Sequence, residues 1–188
     1  MKIHLSLSVG GLLLGFSVLG SANQGLPGPG VGERFDHPLQ AEDQHGQLRS
    51  LDELMGDKGL VIVFVRSADW CPFCKAQLID VNSRMPEFSE LGLNVISISV
   101  DEVPEVSTFA DAQQIEYTML ADPQGDINEA LGIRDEQYPV GSAAFGVPRP
   151  ALYVVDRNAV VRASYMEPTY RTRPDLDTVL KDAAALGL

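Results

Sequence analysis

The run Leu60 to Val65 is wholly apolar and rich in β-branched side chains, and a short polar loop then leads into Trp70-Cys71-Pro72-Phe73-Cys74. An uninterrupted run of this kind is the pattern of a strand covered on both faces, which requires a sheet with a layer of structure on each side. Pro72 suits the first turn of a helix, where its missing N–H costs nothing. The junction is therefore strand, loop, helix, with the cysteines at the helix start. A helix N-terminus carries unpaired N–H groups and about half a positive charge, so it favours a thiolate. Cys71 is expected to be the more acidic and more exposed thiol.

The two cysteines of the junction are the only ones in the chain. A two-residue gap suits a disulfide that closes and reopens with little backbone movement. A structural staple would join distant segments, because the stabilisation grows with the loop it closes. No second cysteine pair exists, which removes a four-thiolate zinc site; no metal and no cofactor is expected. The histidines beyond the leader, His37 and His45, have no ligand-pair spacing and read as surface turn residues. The glycines form no phosphate cradle, and no Ser/His/Asp triad can be drawn.

The remaining chain places further elements around this junction. Residues 35–41 read as a weak strand, 43–46 as a turn, and Ser50 as the cap of a short helix from Leu51 to Met55. After the cysteines, Leu78, Ile79, Val81, Asn82 and Met85 recur at helical spacing until Pro86 ends or kinks the helix. A second apolar strand covers Asn94 to Val100, closing at Asp101. A helix follows from Pro104 to Gln114, with Val106, Phe109 and Ala110 inward. A strand at 117–120, a turn at 122–125 and a helix from Ile127 to Leu131 stopped by Gly132 come next. Residues 134–147 and 169–174 read as loops. Ala151 to Val155 and Val160 to Tyr165 form a hairpin about 156–158. Asp175 opens a last helix with Leu176, Val179, Leu180, Ala183 and Ala184 inward. Strands alternate with helices and then finish in a hairpin and helix, which predicts an α/β fold with a mixed central sheet and helices on both faces.

Residues 1–22 stand apart. Lys2 and His4 precede an apolar stretch from Leu5 to Leu19, and Gly20-Ser21-Ala22 supplies small residues for cleavage, so the segment is expected to be a secretory signal cut after Ala22. The apolar stretch is short of the roughly 20 residues that span a bilayer, so no stable membrane insertion is expected after its removal. A flexible leader at 23–32 and one domain at 33–188 follow. Export places the domain in the periplasm or outside the cell, where disulfides persist. A net charge of -12 over 188 residues repels nucleic acid and anionic membrane surfaces as partners.

Candidate supporting residues surround the cysteines. Arg66 and Asp69 lie on the loop, where Arg66 is expected either to steady a thiolate or substrate oxygen or to form a surface ion pair. Trp70 is expected as a packing wall with a part in docking a partner's chain. Lys75 lies one turn along and adds a cation or is simply solvated.

In their order along the chain, the strand Leu60 to Val65, the Trp-Cys-Pro-Phe-Cys segment, the strand ending Ser99-Val100-Asp101, Leu120 to Gly125 and Arg149 to Asp156 resemble thioredoxin-fold redoxins. The match is closest to the alkyl hydroperoxide reductase/thiol-specific antioxidant branch, the peroxiredoxin-like proteins, over roughly 32–186. The resemblance implies a thioredoxin-like fold with peroxiredoxin-like elaborations. It also implies that Pro150 is the family's cis-proline, beside Arg149. Three positions depart from the family pattern: Cys71 stands where peroxiredoxins carry a threonine three residues before the peroxidatic cysteine, Pro150 where they carry an arginine, and Val65 where thioredoxins bury an aspartate. Proton transfer is then left to Asp69 or water.

These residues define three readings. In the main one, the Cys71 thiolate attacks a partner protein's disulfide and Cys74 resolves the mixed disulfide. In the alternative, a cysteine attacks a hydroperoxide, becomes a sulfenic acid and condenses with the other. The third is a secreted binding domain with an inert disulfide. The first two need thiol or disulfide partner proteins, with an electron-donating dithiol protein to recycle the site. The intact CxxC favours exchange, and the chain around it favours the peroxidase.

Overall fold

The computed structural model describes residues 27–35, 39–167 and 169–188. The expected signal, residues 23–26 of the leader and His37 lie outside the described residues. Among the described residues seven strands form one sheet in the order β2-β1-β5-β4-β3-β6-β7. They are β1 Gln40–Asp43, β2 Leu48–Ser50, β3 Gly59–Phe64, β4 Leu93–Ser99, β5 Thr118–Ala121, β6 Ala151–Asp156 and β7 Val161–Met166. β3 pairs parallel with β4, and β4 with β5; the other pairings are antiparallel. The sheet is mixed, as the order of elements predicts.

Helices α1 Leu51–Leu54, α2 Pro72–Ser83, α3 Met85–Glu90, α4 Val103–Gln113, α5 Asp126–Ala130 and α6 Leu176–Leu186 complete the fold. The alternation of side chains along β3 divides the core in two. Val61 and Val63, with Val65 just beyond, face a cluster that holds Leu78, Phe88, Phe109 and Val179 from α2, α3, α4 and α6. Leu60, Ile62 and Phe64 face Leu51, Leu54 and Ile127 from α1 and α5. Each of these six residues, five in β3 and Val65 after it, is fully buried, worth about 1.5–3 kcal/mol apiece on area grounds.

Local sequence explains the element ends. Ser50 and Glu53 form a capping box on α1. Pro86 has no N–H to give the carbonyl four residues back, and the helix breaks at Arg84. Asp175 caps α6 through Thr178 N–H. At Gly125, φ is +71°, and an added Cβ would stand 2.5 Å from the Gly146 carbonyl oxygen, so the turn into α5 requires glycine.

Three expectations change. Ile79 and Ala184 are exposed although their spacing puts them on the apolar faces of α2 and α6. Each lies at the edge of its stripe, beyond the reach of the sheet. Within the expected flexible leader, residues 27–32 run against the body: Gly32 N–H donates to Val161 O at 2.8 Å, and Gly28 lies against Ile133 and Tyr153. Of the first expected strand, Phe35 and Leu39 lie in no strand, residues 36–38 lie outside the described residues, and β1 runs from Gln40 to Asp43, while Arg34 forms an isolated bridge with Val160.

Candidate active site

The loop from β3 to α2 is fixed from below by a carboxylate. Asp101, buried at the end of β4, accepts from Ser67 Oγ at 2.6 Å, from Ala68 N–H at 2.6 Å and from Ser99 Oγ at 2.7 Å. Ser67 Oγ in turn accepts from Asp69 N–H at 2.9 Å and Trp70 N–H at 3.0 Å. The backbone from Ala68 to Trp70 is thereby held as a rigid approach to the cysteines.

Cys71 is the N-cap of α2 and Pro72 occupies the first turn. Cys71 and Cys74 form a disulfide with Cα atoms 5.2 Å apart, and Cys74 N–H donates to Cys71 Sγ at 3.3 Å. Cys71 is the more exposed of the pair only by 2% against 0%, and in this state both residues are buried. The first turn of α2 rolls both sulfurs into the apolar cluster that also holds Val65 and Ala68. Val65 itself is fully buried there, so the aspartate site of a thioredoxin is apolar here.

A guanidinium reaches the second sulfur from a distant segment. Arg173 Nη2 donates to Cys74 Sγ at 3.2 Å, while its Nη1 donates to the carbonyls of Tyr170 and Thr172 at 2.8 and 2.6 Å. Burial first, and then the neighbouring charge of Arg66, pushes the Arg173 guanidinium down to about 10, which leaves it charged at neutral pH. A cation at this distance favours the thiolate of Cys74 when the disulfide is open.

Arg66 is the other cation of the site. Among the described residues it forms no ion pair; it is 7% exposed, and its Cζ lies 4.6 Å from the ring centre of Tyr170, 5.0 Å from Trp70 and 5.1 Å from Tyr138. Its Nη2 donates to Tyr138 Oη at 3.1 Å. Trp70 therefore stacks on an arginine and is 43% exposed, where a packing wall was the expectation. Phe73, between the cysteines, is 40% exposed and meets Tyr170 edge-on at 6.1 Å.

The other expected residues line two clefts, and among the described residues no hydrogen bond joins their side chains to the sulfurs. Asp69 and Lys75 line a cleft of about 480 Å³ between α2 and α4, with Ile79 and Phe109. Arg149 and Pro150 line a second cleft, of about 380 Å³, with Asp135, Glu167 and Tyr170. Arg149 Nε is 3.9 Å from Asp135 Oδ1. The expected cis bond at Pro150 is absent, since no peptide bond among the described residues is cis. Bonds from Asp135 N–H to Val147 O and from Arg149 N–H to Ile133 O hold 147–149 extended, and the chain runs on from there into β6.

Arg173, Tyr170, Asp101 and Ser67 are the residues that reading the sequence missed. Asp101 carried a signal, a polar residue closing an apolar strand. Arg173 carried none, since nothing local connects position 173 with position 74.

This disulfide, capped at a helix start beneath a guanidinium, can now be set beside known proteins. The model of the AhpC/TSA family matches residues 31–164. The chain belongs to that family. A putative peroxiredoxin of Mycobacterium tuberculosis, MT2597, is 32% identical over 123 residues, which cover 65% of this chain and 77% of that protein. A peroxiredoxin of Pyrococcus furiosus is 28% identical over 164 residues, covering 84% and 72%. Among solved structures, the peroxidoxin BcpB of Mycobacterium tuberculosis superposes with a TM-score of 0.71 at 23% identity, covering 82% of this chain and 96% of that one. Peroxiredoxin 6 of Arenicola marina, solved as a cysteine-to-serine mutant, gives 0.74 at 18% identity, covering 85% and 74%. The fold is thus the thioredoxin-like fold of peroxiredoxins, and the chain is a thiol-dependent oxidoreductase of the peroxiredoxin type. Arg173 and Tyr170 fall beyond the stretch that the family model matches.

Proposed function

We propose that this AhpC/TSA protein is a thiol-dependent peroxidase in which Cys74 attacks the hydroperoxide and Cys71 resolves it. The observation that carries the assignment is the Arg173 Nη2 bond to Cys74 Sγ. The names of the relatives, peroxiredoxins from several organisms, support the same chemistry. Peroxide reduction therefore ranks above the exchange with partner disulfides that the CxxC alone favours.

Atoms and electrons balance at each step. The Cys74 thiolate attacks the terminal oxygen of ROOH; the O–O bond breaks, ROH leaves with a proton from solvent, and Cys74 becomes a sulfenic acid. The Cys71 thiol then attacks that sulfur, water leaves, and the disulfide seen here results. A dithiol protein reduces the disulfide by exchange and is itself oxidised, which restores both thiols. Trp70 and Phe73, both exposed beside the cysteines, supply apolar contact area for that protein. Residues 1–22 support export, with this cycle running in the periplasm or outside the cell.

The test compares wild type, Cys71→Ser, Cys74→Ser and Arg173→Met in single-turnover oxidation by hydrogen peroxide and by cumene hydroperoxide. Cys74→Ser should lose the reaction. Cys71→Ser should stop at one sulfenic acid per chain, trapped by dimedone. Arg173→Met should slow oxidation about 10- to 100-fold, the worth of one hydrogen bond to a charged group. Slow peroxide oxidation of wild type together with rapid reduction of protein disulfides would restore the exchange reading. An unreactive disulfide with both would support the inert binding domain.

A further inference from the structure

The segment 169–174 carries Arg173 to Cys74, yet it belongs to no helix or strand. It is knitted internally. Thr172 N–H donates to Thr169 O, Arg171 N–H to Thr169 Oγ1, and Arg173 Nη1 to Tyr170 O and Thr172 O. Arg173 and its turn therefore move together, and the geometry of the guanidinium depends on what ties the turn to the body.

That tie is the ring of Tyr170. One side faces Arg66, with Cζ 4.6 Å from the ring centre, and the ring also meets Phe73 edge-on at 6.1 Å. Arg66 is a fixed base for this contact, being buried at the end of β3, bonded to Tyr138 Oη and packed on the rings of Trp70 and Tyr138. Phe73 sits between the two cysteines. The Tyr170 hydroxyl takes no part in the tie, since it accepts from its own neighbour, Arg171 Nε, at 3.1 Å. A cation–π contact on a desolvated arginine and an aromatic pair together favour the docked turn about 10- to 100-fold over the undocked one.

We infer that Tyr170, seated on Arg66 and Phe73, is a positioning residue that latches Arg173 onto Cys74. This deepens the proposed function and rests on its assignment of Cys74. The ring is required and the hydroxyl is not, and the latch acts on Cys74 only through Arg173.

The experiment reads the ionisation of Cys74 without any peroxide. In a Cys71→Ser background the one remaining thiol is titrated by its thiolate absorbance, in otherwise unaltered protein and with Arg173→Met, Tyr170→Ala, Tyr170→Phe, Phe73→Ala and the double change Tyr170→Ala/Arg173→Met. Arg173→Met should raise the midpoint by about one to three pH units, the effect of removing an adjacent opposite charge. Tyr170→Ala should give at least half of that rise, Phe73→Ala a smaller one, and Tyr170→Phe none. The double change should match Arg173→Met alone. Phe73 is exposed, so its alanine variant keeps the test open if Tyr170→Ala fails to fold. A rise with Arg173→Met but none with Tyr170→Ala or Phe73→Ala would overturn the latch and leave the peroxidase reading in place. Additive rises in the double change would overturn it too. No rise with Arg173→Met would remove the basis of both.

Discussion

Replacing Asp101 by Asn changes one oxygen for an NH2 and should cost far more than its size implies. Asp101 Oδ2 accepts from Ala68 N–H and Ser99 Oγ, and Oδ1 accepts from Ser67 Oγ. Placed with its oxygen over Oδ2, the Asn amide would keep two of these bonds and point its NH2 at Ser67 Oγ. That oxygen already accepts from Asp69 N–H and Trp70 N–H, so its two lone pairs are taken. Flipped, the NH2 would confront the Ala68 N–H, which cannot turn. Either way a buried donor faces donors, at about 1–3 kcal/mol, and the charge assistance of the other bonds is lost. The sum is about 2–4 kcal/mol, a large share of the roughly 5–15 kcal/mol that holds a domain together. Urea unfolding of the oxidised protein should show the midpoint falling by about 1–2 M at unchanged slope. A midpoint within about 0.3 M of wild type would refute the saturation of Ser67 Oγ.

Other consequences follow from the same structure. Gly125→Ala places a Cβ against the Gly146 carbonyl at positive φ and should lower stability by about 2–4 kcal/mol, read as a drop in the thermal midpoint. Burial pushes the Asp122 carboxyl up to about 6, although Asp126, Ile127 and Asn128 N–H donate to it. Because its folded value lies above the unfolded one, its contribution is complete below about pH 3.8 and is lost as pH rises through about 6. Asp122→Asn should therefore change the stability difference between pH 5 and pH 7.5 by about 1 kcal/mol, and identical pH profiles for the two proteins would refute that burial effect. Asp43 and Asp156 act in the opposite sense. Burial raises each, but hydrogen bonds from Gln47, His45 and Arg49 to the first and from Val160, Arg162 and Asn158 to the second outweigh it. Their stabilisation is present above about pH 3.8 and is lost on further acidification, so Asp43→Asn should weaken the fold at neutral pH and not at pH 2, measured by urea unfolding.

What the sequence disclosed was local. The run Leu60 to Val65 announces a central strand because both its faces are apolar, and Pro72 marks the helix start because it needs no donor there. The cysteines followed from those two facts and from their own spacing. What stayed hidden was long-range: Arg173 meets Cys74 across 99 positions, and the loop around Tyr170 has neither period nor cap to reveal it. Ile79 shows the converse error, since periodicity reports a helix face but not where the sheet beneath it ends. Arg66 was legible as a cation near the site, but its partners are three rings, two of them, Tyr138 and Tyr170, on distant segments.

The two core layers on either side of β3 also set where the molecule opens first. The amides of β3 pair on both sides, with β4 and β6, beneath fully buried side chains, so they should exchange with solvent only on global unfolding. The turn 169–174, held by a ring and one guanidinium, should exchange many orders of magnitude sooner. The reactive sulfurs thus lie on the helix that follows the slowest-opening strand, and beneath one of the fastest-opening turns, so access to them is a local event that leaves the sheet unbroken.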